Sequence, residues 1–485
     1  MAVTQNQPMK CWRLSLPLLS LLACPLLANA SPPPEHWIGL TTPQFQMYTT
    51  NPKDDALREL EFFEKVRSAL LKIIPVKTTR PTAVQIVAFR SENEFNPYRF
   101  QAGGSAYYLR TFDREYIVLD DINPAHRQLM VHEFTHVIVA DAGLQLPIWL
   151  NEGLAELYSS IDFQDEQVTV GRPLARHLTT LSRHPWMDWN ALFAVGRDSP
   201  YYNESDKMSI FYAQSWALTH MLALSEAYAP RFNAFLADIS SGMASAAALQ
   251  TIYGKSMAQI AVDLKAYLHR KPLPETVFDD KLQNTNVPPR IAEPSDFQID
   301  FVLANLLSAK PSTLPEAQAE LAALAAKYPD KPEPEESLGY LALQSGRNEE
   351  ARAHFAIAVQ RHSHNPEILY QYAELQEHAG AQDDRVMALL KQALAIEPDS
   401  EDVRVAVGLL LAKDFECESA LSMLSALTPV PPSQAYAVYS VMARCNLELN
   451  HPKIAKTCAE KAKLAAADDN EKQQSDDLLR KIAQN

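Results

Sequence analysis

Long apolar runs are absent from this 485-residue chain after its first thirty residues, so no transmembrane helix is expected in its body. Lysine- or arginine-rich blocks are absent as well, and acidic residues exceed basic ones by 59 to 44, which argues against nucleic acid as a partner. Cysteine is scarce. Of five, Cys11 and Cys24 fall in the first thirty residues, and Cys417, Cys445 and Cys458 lie near the C-terminus, far from most of the histidines. No cysteine nucleophile is read from them; in an oxidising compartment they give one disulfide and one buried thiol, or none. The rest is ordinary globular composition, 47% hydrophobic and 21% charged, enough for two or three domains.

The first thirty residues are of a different kind. Lys10 and Arg13 precede an apolar run from Leu14 to Leu27, and Ala28-Asn29-Ala30 supplies a small-x-small site before Ser31. That layout predicts a secretory signal cleaved between Ala30 and Ser31 and a periplasmic or secreted mature protein. Leu21-Leu22-Ala23-Cys24 resembles the lipobox of bacterial lipoproteins and keeps lipidation at Cys24 as the alternative.

From His36 to Asp121 the pattern alternates between strand and helix. Phe45–Tyr48, Val84–Phe89 and Tyr116–Leu119 read as strands, Ala56–Ile74 as an amphipathic helix, and Gly103-Gly104 as a bend. Residues from Pro124 to Leu268 are mainly helical in pattern. A stretch with Pro272, Pro274, Pro288, Pro289 and Pro294 follows, and residues 269–299 read as a linker.

Beyond it the chain repeats. Ala317, Ala351, Val386, Ala420 and Ala455 are spaced 34, 35, 34 and 35 apart, and four residues after each come Leu321, Phe355, Leu390, Leu424 and Ala459. Gly339 and Gly408 precede their alanines by twelve residues, while Pro329, Pro398 and Pro432 close three units. A 34-residue period with small residues where two helices cross resembles the tetratricopeptide repeat over about 300–470, leaving 471–485 as a tail.

The chemistry-bearing motif lies upstream. His132-Glu133-Phe134-Thr135-His136 sits between Asn123-Pro124, a helix start, and Gly143, a helix stop. Histidines four apart share one helical face and can reach one ion, with Glu133 beside it. Catalytic zinc takes three protein ligands and keeps one position open. Downstream comes Trp149-Leu150-Asn151-Glu152-Gly153-Leu154-Ala155-Glu156, opened by Pro147. A turn at Gly143–Leu146 would fold that second helix onto the first and bring Glu152 to the ion, though spacing alone also permits Glu156, one turn on.

HEFTH followed by WLNEGLAE resembles the gluzincin metallopeptidases, especially the bacterial peptidase-MA-like domains, over about 38–268. The resemblance implies zinc held by His132, His136 and Glu152, with Glu133 as general base and Glu156 as a carboxylate orienting a ligand histidine. Phe211-Tyr212-Ala213-Gln214-Ser215-Trp216 resembles the stretch in which a tyrosine opens a helix and stabilises the oxyanion, which implies that role for Tyr212. The chain departs from the zinc aminopeptidases in lacking a G-A-M-E-N-type stretch within Thr111–Asp121, so an endopeptidase with an extended peptide along Tyr116–Leu119 is expected. His126, His177, His184 and His220 have no spacing partners and read as surface or core histidines.

The expected fold class is α+β: a small mixed sheet with a helical zincin-like catalytic domain at 31–268, then an all-α tetratricopeptide-type solenoid. The expected function is an exported zinc peptidase whose repeats bind a protein partner. The competing expectation is a non-catalytic repeat scaffold with a vestigial or structural metal site, and a zinc hydrolase of a non-protein amide or ester is a third.

Overall fold

The computed structural model describes residues 36–74, 83–100, 104–111, 114–164, 167–279, 288–427, 430 and 433–484. The leader reading, including Cys24 and the Ala30–Ser31 bond, lies outside these residues, as do Gly103 and Pro432.

Nine described strands form two sheets: β1 (Ile38–Thr41), β2 (Phe45–Thr49), β3 (Val84–Ala88), β4 (Ala106–Arg110), β5 (Glu115–Leu119), β6 (Asp162–Gln164), β7 (Gln167–Val170), β8 (Thr276–Asp279) and β9 (Arg290–Ala292). The larger sheet runs β4-β5-β3-β2-β1-β9, and the smaller runs β6-β7-β8. β2–β3 and β3–β5 are parallel and the other pairs antiparallel, a mixed sheet. Two features differ from the sequence expectation. β5 is paired on both sides, so Tyr116–Leu119 has no free edge for an added peptide, and the neighbouring edge strand is β4. The stretch read as a linker holds β8, whose Phe278 faces Val168, and β9, whose Ile291 faces Leu40.

Alternation along the strands sorts side chains to two covered faces. Met47, Ile86, Ile117 and Leu119 pack on one face with Phe63 of α1 (Lys53–Ile73) and Phe134 and Ile138 of α2 (Arg127–Asp141). Tyr48, Val87, Tyr116 and Val118 pack on the other with Ile299, Val302 and Leu306. These last three belong to the first helix beyond the proline-rich stretch, Asp296–Leu307. Ser295 starts that helix with a capping box to Gln298. Arg114 lies over the ring of its Phe301, 5.3 Å from the centroid. The helical half is therefore seated on the sheet rather than tethered to it.

Ahead of that helix come α3 (Ile148–Tyr158), which packs on the histidine-motif helix, α4 (Ala175–Arg183) and α5 (Ser205–Leu224). From Asp296 on, every described element is a helix. Ala317, Ala351, Val386, Ala420 and Ala455 are all buried, as are Leu321, Phe355, Leu390, Leu424 and Ala459. Gly339 and Gly408 lie where a methyl group would be 2.4 Å from Phe355 and 2.6 Å from Leu424, so small residues mark the helix crossings. The turns between paired helices carry left-handed residues at Gly346, Gly380, Phe415 and Asn450, the last two without glycine's freedom. Cys417 and Cys445 form a disulfide and Cys458 is a buried thiol. Residues read as a tail form a helix, Asp469–Ala483, whose Ile482 packs on Ala443, Ala455 and Ala459 and closes the end of the array. No described helix is long and apolar enough to cross a membrane.

Candidate metal centre

Asn123 Oδ1 accepts from the Ala125 N–H at 3.0 Å, and one 3-10 turn at Pro124–His126 leads into α2. Gly143, at φ +67, ends the turn after α2, and Pro147 precedes α3. Nearly all of α3 is buried, because it packs on α2 at one face and on α5 at another. The second contact is close: a methyl group on Gly153 would meet Thr219 Oγ1 and the Ser215 carbonyl.

This packing brings His132, His136 and Glu152 together, with one donor atom of each within 4.8 Å of the others. Glu152 Oε2 lies 3.1 Å from His132 Nε2 and 3.6 Å from His136 Nε2. Donors about 2.0–2.1 Å from a tetrahedral zinc ion sit about 3.3 Å apart, so these separations bracket the value such an ion requires. Two imidazole nitrogens and a carboxylate, nearly excluded from water, are also the donor chemistry zinc takes. The residues fit the ion.

Around them is a supporting layer. Glu156 Oε1 lies 3.6 Å from His132 Nδ1, while its Oε2 meets His177 Nε2 at 2.9 Å and Arg176 Nη2 at 2.5 Å. Glu133 Oε2 accepts from the backbone N–H of Tyr108 on β4 at 2.9 Å, tying the motif helix to the edge strand. Tyr202 Oη donates to Glu152 Oε1 at 3.0 Å. Tyr212 stands with its ring 6.1 Å from that of His132. It lies within α5, whereas the sequence pattern places it at a helix start.

Burial by itself would lower the His132 pKa, but the bond to Glu152 and the charges of Glu156, Glu152 and Glu133 lift it to about 9. Burial would raise both glutamates, yet His136 and His132 hold Glu152 below its ordinary value. His177, His132 and Arg176 take Glu156 down to about 2. The phenols of Tyr202 and Tyr212 are pushed well above their usual range, first by burial and then by the Glu152 charge. Both stay protonated and able to donate.

Sequence reading misses Arg176 beside Glu156 and three further contributors. His177, solitary by spacing, is buried against Glu156 and lies beside Trp216, ring centroids 5.5 Å apart. Tyr202 sits on a one-turn helix, Pro200–Asn203, whose Ser199-Pro200 start is the only local signal. Tyr108 belongs to β4, a strand outside the three that the sequence pattern marks. His220 is buried between Tyr267 Oη and the Gly171 carbonyl, His184 is exposed, and His126 pairs with Asp121 at 2.8 Å.

Comparison with known proteins divides the chain in two. Residues 342–404 match the tetratricopeptide repeat family, so the helical half carries repeats of that kind. Residues 128–243, from the motif helix past α5, match a family described as a protein of unknown function, DUF1570. No curated protein matches the chain. Solved structures similar to the helical half include YrrB, described as a TPR protein with an unusual peptide-binding site (19% identity, 38% of this chain and 92% of that one, TM-score 0.33). PilW, a type IV pilus biogenesis factor, is 15% identical over 39% of this chain and 91% of its own, with a TM-score of 0.29. A thermophilic TPR protein of Thermus thermophilus is 18% identical over 38% of this chain and 99% of its own, with a TM-score of 0.25. The repeat assignment stands on the family match and on the buried small residues at the helix crossings.

Proposed function

We propose that the chain is an exported zinc-dependent hydrolase of peptide bonds, of gluzincin type, whose repeats bind a protein partner or substrate. The observation that carries this reading is the convergence of His132 Nε2, His136 Nε2 and Glu152 Oε2 at donor separations that suit a tetrahedral ion, with Glu133 on the same helix. Zinc held there supplies Lewis acidity and a water whose pKa falls to about 7.

The remaining roles belong to side chains of this protein. Tyr108 N–H fixes one oxygen of Glu133, which leaves the other to take a proton from the attacking water and pass it to the leaving amine. Tyr212 donates to the oxyanion as the carbonyl turns tetrahedral. Glu156, held by His177 and Arg176, fixes the orientation of the His132 ring. An extended peptide adds to β4, an edge strand of the larger sheet whose amide already reaches the base. The leader directs the chain out of the cytoplasm.

A second reading has its own support: the match to tetratricopeptide repeats favours a protein-binding scaffold in which the metal site is vestigial or structural. A digest of mixed unfolded proteins by the purified mature chain, wild type beside Glu133→Gln, separates the two. Cleavage by wild type alone, read by mass spectrometry, supports the hydrolase. Cleavage by neither, with zinc bound in both, leaves the scaffold.

A further inference from the structure

Glu152 presents its two oxygens to different partners. Oε2 faces both imidazoles, at 3.1 and 3.6 Å, while Oε1 accepts from Tyr202 Oη at 3.0 Å. The carboxylate is buried. Tyr202 is itself held from two directions. Ser199 Oγ accepts from the Tyr201 N–H at 3.3 Å and starts the one-turn helix, and the Tyr202 ring packs edge-on against Phe211 of α5, centroids 6.2 Å apart at 84°. Phe211 in turn neighbours Tyr212, ring centroids 5.5 Å apart, so one patch of α5 supports both phenols.

A carboxylate can bind a metal through one oxygen or through both. With Oε1 drawn to a phenol donor and Oε2 turned to both imidazoles, binding through Oε2 alone is favoured, and a position on the ion stays open for water and substrate. We propose that Tyr202 is a positioning residue that keeps Glu152 a one-oxygen ligand and so preserves the open position. The inference rests on the metal reading above and adds to it a residue that the HExxH and N-E-G motifs do not contain.

Cobalt(II) is the probe, because its visible bands are strong when four-coordinate and weaken as the coordination number rises. The full-length mature chain is stripped with chelator and titrated with cobalt alone, as wild type, Tyr202→Phe, Tyr212→Phe and Ser199→Ala. Tyr202→Phe keeps the ring against Phe211 and removes one hydroxyl, so its melting temperature serves as the folding control. Wild type is expected to show the strong four-coordinate band. Tyr202→Phe should show a weakened, shifted band and a ten- to hundredfold loss of cobalt affinity, the scale for groups that orient a ligand. Tyr212→Phe, with the Glu152 bond intact, keeps the wild-type spectrum. Ser199→Ala loosens the turn without touching the phenol, shifts the band in the same direction by less, and supplies the test if Tyr202→Phe fails to fold. Spectrum and affinity unchanged in both Tyr202→Phe and Ser199→Ala overturn the positioning role while the metal site stands. A wild type that takes up no cobalt at all overturns the metal reading first.

Discussion

A methyl group on Gly153 would lie 2.1 Å from Thr219 Oγ1 and 2.8 Å from the Ser215 carbonyl oxygen, so α3 and α5 touch backbone to backbone one residue away from Glu152. Thr219 could rotate aside, but the carbonyl could not. Gly153→Ala should therefore force the helices apart at a cost of about 1–3 kcal/mol and disturb the carboxylate next to it. Urea unfolding and zinc content measured on the same preparation check this. An unchanged midpoint with full zinc would show that the helices separate freely.

Glu152 and Glu156 share a helix face but not a job. Glu152 Oε2 reaches both Nε2 atoms, whereas Glu156 meets the far nitrogen of His132. Glu152→Ala should lose zinc under a dialysis that leaves wild type loaded. Glu156→Ala should keep it, with activity down about ten- to a hundredfold. Elemental analysis of both variants after identical dialysis decides, and the reverse ranking would move the third ligand to Glu156.

His220 links stability to pH apart from the candidate metal centre. Burial, only partly offset by the Gly171 carbonyl, lowers its pKa to about 4 from 6.5. A histidine depressed in the folded state contributes stability above its unfolded pKa and loses it as pH falls from 6.5 through 4, because the unfolded chain takes up the proton first. The contribution at stake is about 3 kcal/mol. Thermal melts from pH 7 to 4 should fall more steeply for wild type than for His220→Gln, and parallel curves would count against it.

The seating of Asp296–Leu307 on the sheet makes a short N-terminal fragment a poor one. A chain ending near Ala266 loses β8, β9 and that helix, uncovering Val87, Tyr116 and Val118. It should aggregate, whereas a chain ending at Asp330 retains the cover and should melt cooperatively. Light scattering on the two fragments distinguishes the outcomes. A soluble, monomeric shorter fragment would refute the dependence.

Phe415 holds a left-handed backbone at φ 63 with 78% of its surface exposed. At the matching turns Gly346 and Gly380 carry that conformation without strain. Phe415→Gly should raise stability by about 1 kcal/mol, read from the urea midpoint. A drop would mean that the exposed ring contributes packing.

Signals confined to neighbouring residues are legible in the sequence. The four-residue spacing of His132 and His136, the helix stop at Gly143 and start at Pro147, and the small residues facing Phe355 and Leu424 all act within a turn or one helix pair. What escapes depends on partners distant in the chain. β8 is a strand because Phe278 meets Val168, and β9 because Ile291 meets Leu40. His177 looks solitary because Glu156 reaches it from another helix, and Tyr202 because a four-residue helix has no periodicity to read. The edge strand β4 carries a weaker strand pattern than its neighbour β5, so the sequence marks β5 and passes over β4.

The shared cover between sheet and repeats also sets a rule of reach. Because Ile299, Val302 and Leu306 are part of the sheet's own packing, the repeat array is an arm fixed at the shoulder, without the slack of a flexible tether. Under the proposed function, a partner gripped far along that arm would have to span back to β4 with its own unfolded segment. In that proposal the number of residues between its gripped region and its cut site would be a specificity determinant alongside the side chains at the scissile bond. Substrates shortened in that spacer should be held as firmly as before and cut less.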